Sequence, residues 1–280
     1  MEYPIVSIIV PCFNHARYLD EALASVRQQT FSNWECIIVN DGSPDNTEEI
    51  AQSWVAKDGR FRYLYQLNKG VSSARNFGIF HSNGDFILPL DADDKISKEY
   101  IRLAMDAFRQ EPDLTLVYSE AETFGTIEEK WKLQPFSLNN LARFNMIFCS
   151  AVFKKQDWCK IGGYDENMAI GLEDWDFWIS LLKNGGKVKK LKEVCFFYRI
   201  KKVSRNTQIS QNKQKKMFQY LSVKHAHFYV EQLGSFQKLI ETVDRIKYEN
   251  KIKLKSEKFV INLFFRTFFG FSIFKDKWRN

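Results

Sequence analysis

The chain has 280 residues, 45% of them apolar and 15% aromatic, with 25 Phe, which excludes a chain too polar to build a core. Its length suits one large domain or a domain with an appendage. The net charge of +7 is unevenly placed: residues 1–206 hold 26 Lys and Arg against 28 Asp and Glu, while residues 207–280 hold 15 against 6.

Val6-Ser7-Ile8-Ile9-Val10 predicts a buried strand, halted by Pro11, with Pro11-Cys12-Phe13-Asn14 as a polar-ended loop. Residues 18–29 have helical spacing, with Leu19, Ala22, Leu23 and Val26 on one face. Residues 35–39 predict a second strand that runs into Asn40-Asp41-Gly42-Ser43. Ser43 is a natural N-cap and Pro44 suits the first helical position, so a helix to about residue 57 is predicted. A third strand over 61–66 follows, then a helix over 71–82 that Asn83-Gly84 ends. Residues 84–94 are a short apolar run that breaks into three carboxylates, Asp91, Asp93 and Asp94. The run reads as a buried strand with the acids just past its carboxyl end. Carboxylates so close repel unless they share a cation, and oxygen-only ligands suit Mg²⁺ or Mn²⁺. An acidic surface turn is the plainer alternative. A helix over 97–110 and a strand over 114–118 follow.

This alternation is the rhythm of an α/β fold with a mostly parallel sheet, helices on both faces. Ligands in such sheets bind outside the carboxyl ends of the strands. Asn14, Asp41 and the acids at 91–94 each follow a strand, so the topology predicts one shared rim.

The second half is less regular. Residues 120–134 carry few signals, 137–144 suggest a short helix and 146–153 look strand-like. Residues 162–166 read as a turn. Glu173-Asp174 opens an amphipathic helix closed by Gly185-Gly186; acids there also complement the helix dipole. Residues 188–199 predict a strand. From about 207 the chain is Lys-rich and helical in composition, ending in a Phe-dense stretch over 259–274 flanked by Lys255, Lys258, Lys275, Lys277 and Arg279. With Arg266 at its middle this stretch suits an anionic membrane surface rather than a bilayer span, with docking on the catalytic domain or a dimer seam as the alternative. Nucleic acid is not an expected partner. His225-Ala226-His227 reads as surface or packing, because positions i and i+2 do not share a helix face.

Five scattered cysteines without a C-x-x-C pair favour a reducing cytosol over a disulfide scaffold. No signal peptide is predicted, and no segment reaches the roughly 18 uncharged apolar residues of a membrane span.

Taken in order, the motifs resemble the family 2 glycosyltransferases, the inverting group with the GT-A nucleotide-diphospho-sugar transferase fold. They are residues 6–14, 39–47 and 68–76, Asp91-Ala92-Asp93-Asp94, residues 162–166 and Glu173-Asp174-Trp175. The resemblance covers about residues 4–206. It implies a catalytic domain over 1–206, with a nucleotide-sugar half to about 118 and an acceptor half over 119–206; residues 207–280 form a basic, Phe-rich helical extension. It further implies that Pro11, Phe13 and Asn14 line the nucleotide pocket and that Asp41 meets the base. Arg75 would lie near base and phosphates, Asp91 would hold the ribose, and Asp93, in the D-x-D motif, would ligate Mn²⁺ or Mg²⁺. Asp174 would be the general base.

The implied reaction moves a sugar from a nucleotide-sugar donor, UDP-linked on this reading, to a glycan or lipid-linked acceptor. Its place would be surface polysaccharide synthesis at the inner face of the membrane. A polyprenyl-phosphate sugar synthase, a nucleotidyltransferase and a non-catalytic nucleotide-sugar-binding module are the alternatives. One departure stands out: many relatives carry Tyr-Arg-x-His after the last strand, and this chain has Tyr198-Arg199-Ile200-Lys201. A Lys meets phosphate as a point charge but, protonated, cannot ligate a metal. Lys201 either supplements the metal or leaves it less firmly held.

Overall fold

The computed structural model describes residues 5–168, 171–201 and 210–275. The chain divides into two compact units, Met1–Ala226 and His227–Asn280. The boundary expected at 206/207 falls outside the described residues, and helix α8 (Gln211–Lys224) belongs to the first unit.

The first unit opens with four parallel strands, β1 (Val6–Cys12), β2 (Trp34–Asp41), β3 (Phe61–Gln66) and β4 (Phe86–Pro89). Helices α1 (Ala16–Arg27), α2 (Thr47–Lys57) and α3 (Val71–Phe80) connect them. Next come β5 (Lys95–Ile96), α4 (Tyr100–Gln110), β6 (Leu114–Gly125), β7 (Lys130–Trp131) and α5 (Leu138–Leu141). β8 (Val152–Lys154), α6 (Lys155–Ile161), α7 (Glu173–Leu182) and β9 (Lys187–Ile200) complete the sheet. The strand order is β3-β2-β1-β4-β8-β6-β9-β5, with β7 on β6. β8 runs antiparallel to both β4 and β6, and β9 returns parallel to β6. The sheet is therefore mixed, its parallel half carried by the alternating first half of the chain.

β1 and β2 are buried along their whole length, as strands covered on both faces must be. Pro11 is tolerated in a central strand because β4 stops at Pro89, opposite Ile9. Beyond that point β1 has a partner only in β2, where Pro11 faces Val39. Helix α3 crosses close to this ladder: a Cβ on Gly78 would stand 2.6 Å from Ile9 Cγ2. The register pairs Cys12 with Asn40 and Ile9 with Pro89, so the chain leaves β1, β2 and β4 on one edge.

Several local expectations change. Helix α2 begins at Thr47 rather than at Pro44. Ser43 is not its cap, because its hydroxyl accepts from Asn14 N and donates to Cys12 O. Asp45 Oδ1 instead accepts from Thr47 N and Thr47 Oγ1. Over 146–153 only Val152–Lys154 is strand; the rest turns inward, with Ser150 O accepting from Tyr100 OH. Helix α6 was not predicted, and none of its residues is buried.

In the second unit, α9 (Ala226–Leu233) precedes a pair of contacting helices, α10 (Phe236–Lys255) and α11 (Glu257–Phe269). Ser235 and Ser256 cap them by accepting from Lys238 N and Phe259 N. Buried Asn262 accepts from Ile273 N and Phe274 N and donates to Phe274 O, folding residues 270–274 back along α11. Val260, Phe264, Phe268 and Phe269 remain exposed on this hook. Among the described residues no helix is long and apolar enough to cross a membrane.

Candidate active site

The rim begins with the loops after β1 and β2. Asn14 adopts a left-handed backbone (φ 55), a conformation Asn tolerates, and its N–H donates to Ser43 Oγ at 3.1 Å. Phe13 is 44% exposed beside it, whereas Pro11 is buried in β1. Asp41 is buried and organises the loop after β3: Oδ1 accepts from Gln66 Nε2 and Lys69 N, and Oδ2 accepts from Gly70 N at 2.9 Å. Its neighbour Gly42 has φ +68, and a Cβ there would meet Asn68 N at 2.8 Å.

After β4 the three acids of residues 91–94 meet different environments. Asp91 Oδ1 accepts from Arg75 Nη2 at 2.7 Å. The same guanidinium reaches Glu173 Oε1 through Nη1 at 3.2 Å. Arg75 is 1% exposed, so it is a buried strut between two carboxylates rather than a cation facing the cleft. Burial disfavours its charge, but Asp91 and Glu173 more than offset this and hold its proton firmly. Asp93 Oδ2 accepts from Lys201 Nζ at 2.5 Å, and His15 Nε2 lies 2.9 Å from the same ammonium. Asp94 is buried; Oδ1 accepts from Arg199 N, while Oδ2 has no hydrogen-bond partner among the described residues. Burial, then Asp93 and Asp91, raise its carboxyl well above the ordinary range.

Across the rim, α7 begins after Leu172, a non-glycine residue at φ 64. Its first turn carries Glu173 and Asp174. Asp174 Oδ2 accepts from Asn145 Nδ2 at 3.0 Å, and Oδ1 accepts from Trp175 N. Burial and the neighbouring Glu173 charge push its carboxyl up to about 6, against weaker lowering by Arg75 and Asn145. A carboxylate tuned toward neutral pH is suited to accept a proton from a hydroxyl.

Helix α8 packs against α7 by charge. Lys224 Nζ donates to Asp176 Oδ2 at 2.8 Å and to Asp165 Oδ2 at 2.7 Å, and buried His225 Nε2 lies 2.8 Å from Asp176 Oδ1. His225 therefore packs against a carboxylate, a partner the His-Ala-His reading did not find.

Asp91, Asp94 and Cys149 bring three ligand atoms within 4.8 Å of one another, a group able to hold a metal ion. The orphaned Asp94 oxygen suits a cation there. Asp93, the expected ligand, fits one poorly, because Lys201 is on its oxygen. At about 4 Å and an effective dielectric of about 20, a divalent ion and an ammonium repel by roughly 8 kcal/mol.

The predicted residues thus fall into linked groups. Ser43 joins the loops bearing Asn14 and Asp41; His15, next to Asn14, joins them to Asp93 and Lys201; Arg75 joins Asp91 to the first turn of α7 and so to Asp174. His15, Asn145 and Cys149 were not singled out as site residues. His15 directly follows the β1 loop motif, which was a usable signal. Cys149 lies in a stretch read as strand, and Asn145 falls between that stretch and the short helix expected over 137–144, so neither stood out.

An α/β unit with an acidic rim at the carboxyl ends of parallel strands, faced by a carboxylate in the first turn of a helix, places its polar groups where such sheets bind ligands. The model of the glycosyl transferase family 2 matches residues 7–171, and the chain belongs to that family. The chain is 30% identical over 211 residues to the uncharacterized glycosyltransferase EpsJ of Bacillus subtilis, covering 70% of this chain and 61% of EpsJ. It is 30% identical over 235 residues to TuaG of the same organism, a glycosyltransferase whose name assigns it to teichuronic acid biosynthesis; that match covers 80% of this chain and 90% of TuaG. S. aureus TarS 1–349, solved with UDP-GlcNAc, shares the fold at a TM-score of 0.67 and 18% identity, covering 81% of this chain and 71% of that one. The mannosyltransferase PcManGT of Pyrobaculum calidifontis, solved with GDP-Man and Mn²⁺, shares it at 0.59 and 16% identity, covering 88% and 81%. The chain thus belongs to a glycosyltransferase family and has the GT-A architecture, and it spans about three fifths of the length of EpsJ.

Proposed function

We propose that the chain transfers a sugar, with inversion, from a UDP-linked donor to a hydroxyl of a glycan or lipid-linked acceptor in surface polysaccharide synthesis. The observation that carries this is Asp174. Its carboxyl, raised to about 6, opens α7 and is tied through Glu173 and Arg75 to Asp91 on the donor rim. A base on the acceptor side and a leaving diphosphate on the donor side are what single displacement at the anomeric carbon requires. Asp174 takes the hydroxyl proton as the oxygen attacks. No residue need become glycosylated, so one displacement inverts the centre.

The nucleotide is assigned to the loops of Phe13, Asn14 and Asp41, and the ribose to Asp91. The leaving diphosphate needs positive charge where its own charge grows. Two sources stand nearby. A Mn²⁺ or Mg²⁺ ion held by Asp91 and Asp94 would supply it as a Lewis acid; Lys201 is the other.

The test is a panel of UDP-, GDP- and dTDP-sugars incubated with the full chain, reading nucleoside diphosphate release and product anomeric configuration. Release of UDP, its loss in Asp174→Asn and an inverted product are expected. Release of pyrophosphate would make the chain a nucleotidyltransferase. Full activity of Asp174→Asn would favour a phosphate acceptor, as in polyprenyl-phosphate sugar synthases. No turnover of any donor that binds would leave a binding module.

The second unit is assigned to an anionic membrane surface on the inner face. Exposed Phe264, Phe268 and Phe269 lie on a helix that carries Lys258 in its first turn and is preceded by Lys251, Lys253 and Lys255, the pairing of apolar and basic groups that interfacial helices use. Flotation with phosphatidylglycerol vesicles is expected, with loss in Phe268→Asp/Phe269→Asp and on deletion of residues 255–280. Unchanged flotation of both variants would remove the assignment.

A further inference from the structure

We propose that Lys201, seated on Asp93, is the cation that grips the donor's diphosphate, so that nucleotide binding needs no divalent ion. This rests on the nucleotide-sugar reading of the site.

Lys201 is held in place by backbone rather than extended from a loose surface. Strand β9 pairs with β6 to its last residue, Ile200 opposite Gly125. At its end Arg199 N donates to Asp94 Oδ1 at 2.8 Å, and Arg199 Nε donates to the Asp93 carbonyl at 2.7 Å. The guanidinium of Arg199 also stacks over Tyr18 and Phe124, at 4.6 and 4.2 Å from the ring centroids. The acidic turn and the end of β9 are thus one fixed unit, and the next residue places its ammonium on Asp93.

The ammonium is then well placed for an anion. Its side chain is 15% exposed, as is that of Asp93 at 16%, so the charge is shielded but reachable. It lies 5.5 Å from the Tyr18 ring centroid. An ammonium carries three protons. One goes to Asp93 Oδ2 and one to His15 Nε2, which leaves one for a phosphate oxygen. Asp93 becomes the seat of a cation that the chain itself supplies. Without Lys201, Asp91, Asp93 and Asp94 would present three carboxyl groups to an incoming dianion.

The experiment is calorimetric titration of the full chain, stripped with EDTA, with UDP, GDP and dTDP, repeated with Mn²⁺. Wild type is expected to bind its nucleotide in EDTA, with an affinity that Mn²⁺ changes by less than about threefold, under half the 1.4 kcal/mol of a decade. Lys201→Ala, checked for an unchanged melting temperature, is expected to weaken binding in EDTA by roughly 10- to 100-fold, the value of a charge-assisted hydrogen bond. Asp93→Asn is expected to weaken binding in EDTA by less than Lys201→Ala does, since it removes the seat and not the cation. Lys201→His is expected to bind only with Mn²⁺. A wild type that binds at least about tenfold tighter with Mn²⁺, or an Asp93→Asn that loses binding while Lys201→Ala keeps it, overturns the inference and leaves the donor reading standing. A folded chain that binds none of the three nucleotides with or without Mn²⁺ sinks the donor reading, and the inference with it.

Discussion

Arg75 Nη1 donates to Glu173 Oε1 at 3.2 Å across 98 residues of sequence, while Nη2 of the same guanidinium donates to Asp91 Oδ1 at 2.7 Å. The planar fork spans two carboxylates that belong to opposite halves of the site. Lys has one point of positive charge and no fork. Arg75→Lys is expected to lower the urea midpoint, and Arg75→Met to cost about 3–5 kcal/mol, as removal of one partner from a buried pair does. Equilibrium urea unfolding measures both; a midpoint unchanged in Arg75→Met would show that the strut bears no strain.

Asp174 gives opposite pH signatures in rate and in stability. As the proposed base Asp174 must be ionised, so kcat/KM is expected to fall below about pH 6, and Asp174→Asn to lose roughly 10²- to 10⁴-fold in rate. The folded carboxyl binds its proton more tightly than the unfolded one. Its stabilising contribution is therefore complete below about pH 4 and is lost as pH rises through about 6. Asp174→Asn is expected to melt higher than wild type at pH 8, by roughly 1–3 kcal/mol of stability, and to lose this advantage at pH 4. Thermal melts at the two pH values check it.

Lys224 joins α8 to both Asp165 and Asp176. Burial raises the Asp165 carboxyl, but Lys224, Asn167 N and Tyr220 outweigh it and bring it down to about 2. A depressed carboxyl stabilises above its unfolded value and loses that contribution as pH falls toward 2. Lys224→Met is expected to cost about 1–3 kcal/mol at pH 7, and to unfold in acid at a higher pH than wild type. Acid titration followed by tryptophan fluorescence reads the shift.

Gly42 lies at φ +68 with no room for a Cβ beside Asn68 N. Gly42→Ala is expected to cost about 1–2 kcal/mol for the backbone alone, and to weaken UDP binding by displacing the loop that Asp41 ties down. Titration with UDP, beside a melting curve, separates the two effects.

The parallel half of the sheet was legible because buried strands and amphipathic helices alternate there, and each strand ends in a polar loop. The rim followed from that topology, before any side chain was placed. What periodicity could not show was how side chains spend their hydrogen bonds. Ser43 looks like a cap from its place before Pro44, but tertiary contacts with the β1 loop claim its hydroxyl. Arg75 looks like a phosphate cation, but two carboxylates bury it. Cys149 sits in an apolar stretch, with Asn145 just before it, where the backbone is irregular and the side chains face the acids, and no local pattern marks such a turn.

The pairing of Asp93 with Lys201 joins positions 108 residues apart, and that separation has a temporal side. At synthesis rates of about 5–20 residues per second, β4 leaves the ribosome roughly 5–20 s before its counter-charge does. During that interval Asp93 lacks the ammonium that pairs with it in the finished chain. On the proposed grip, a chain cut short anywhere in that span is expected to lack the cation for the diphosphate, so competence arrives with the closing strand.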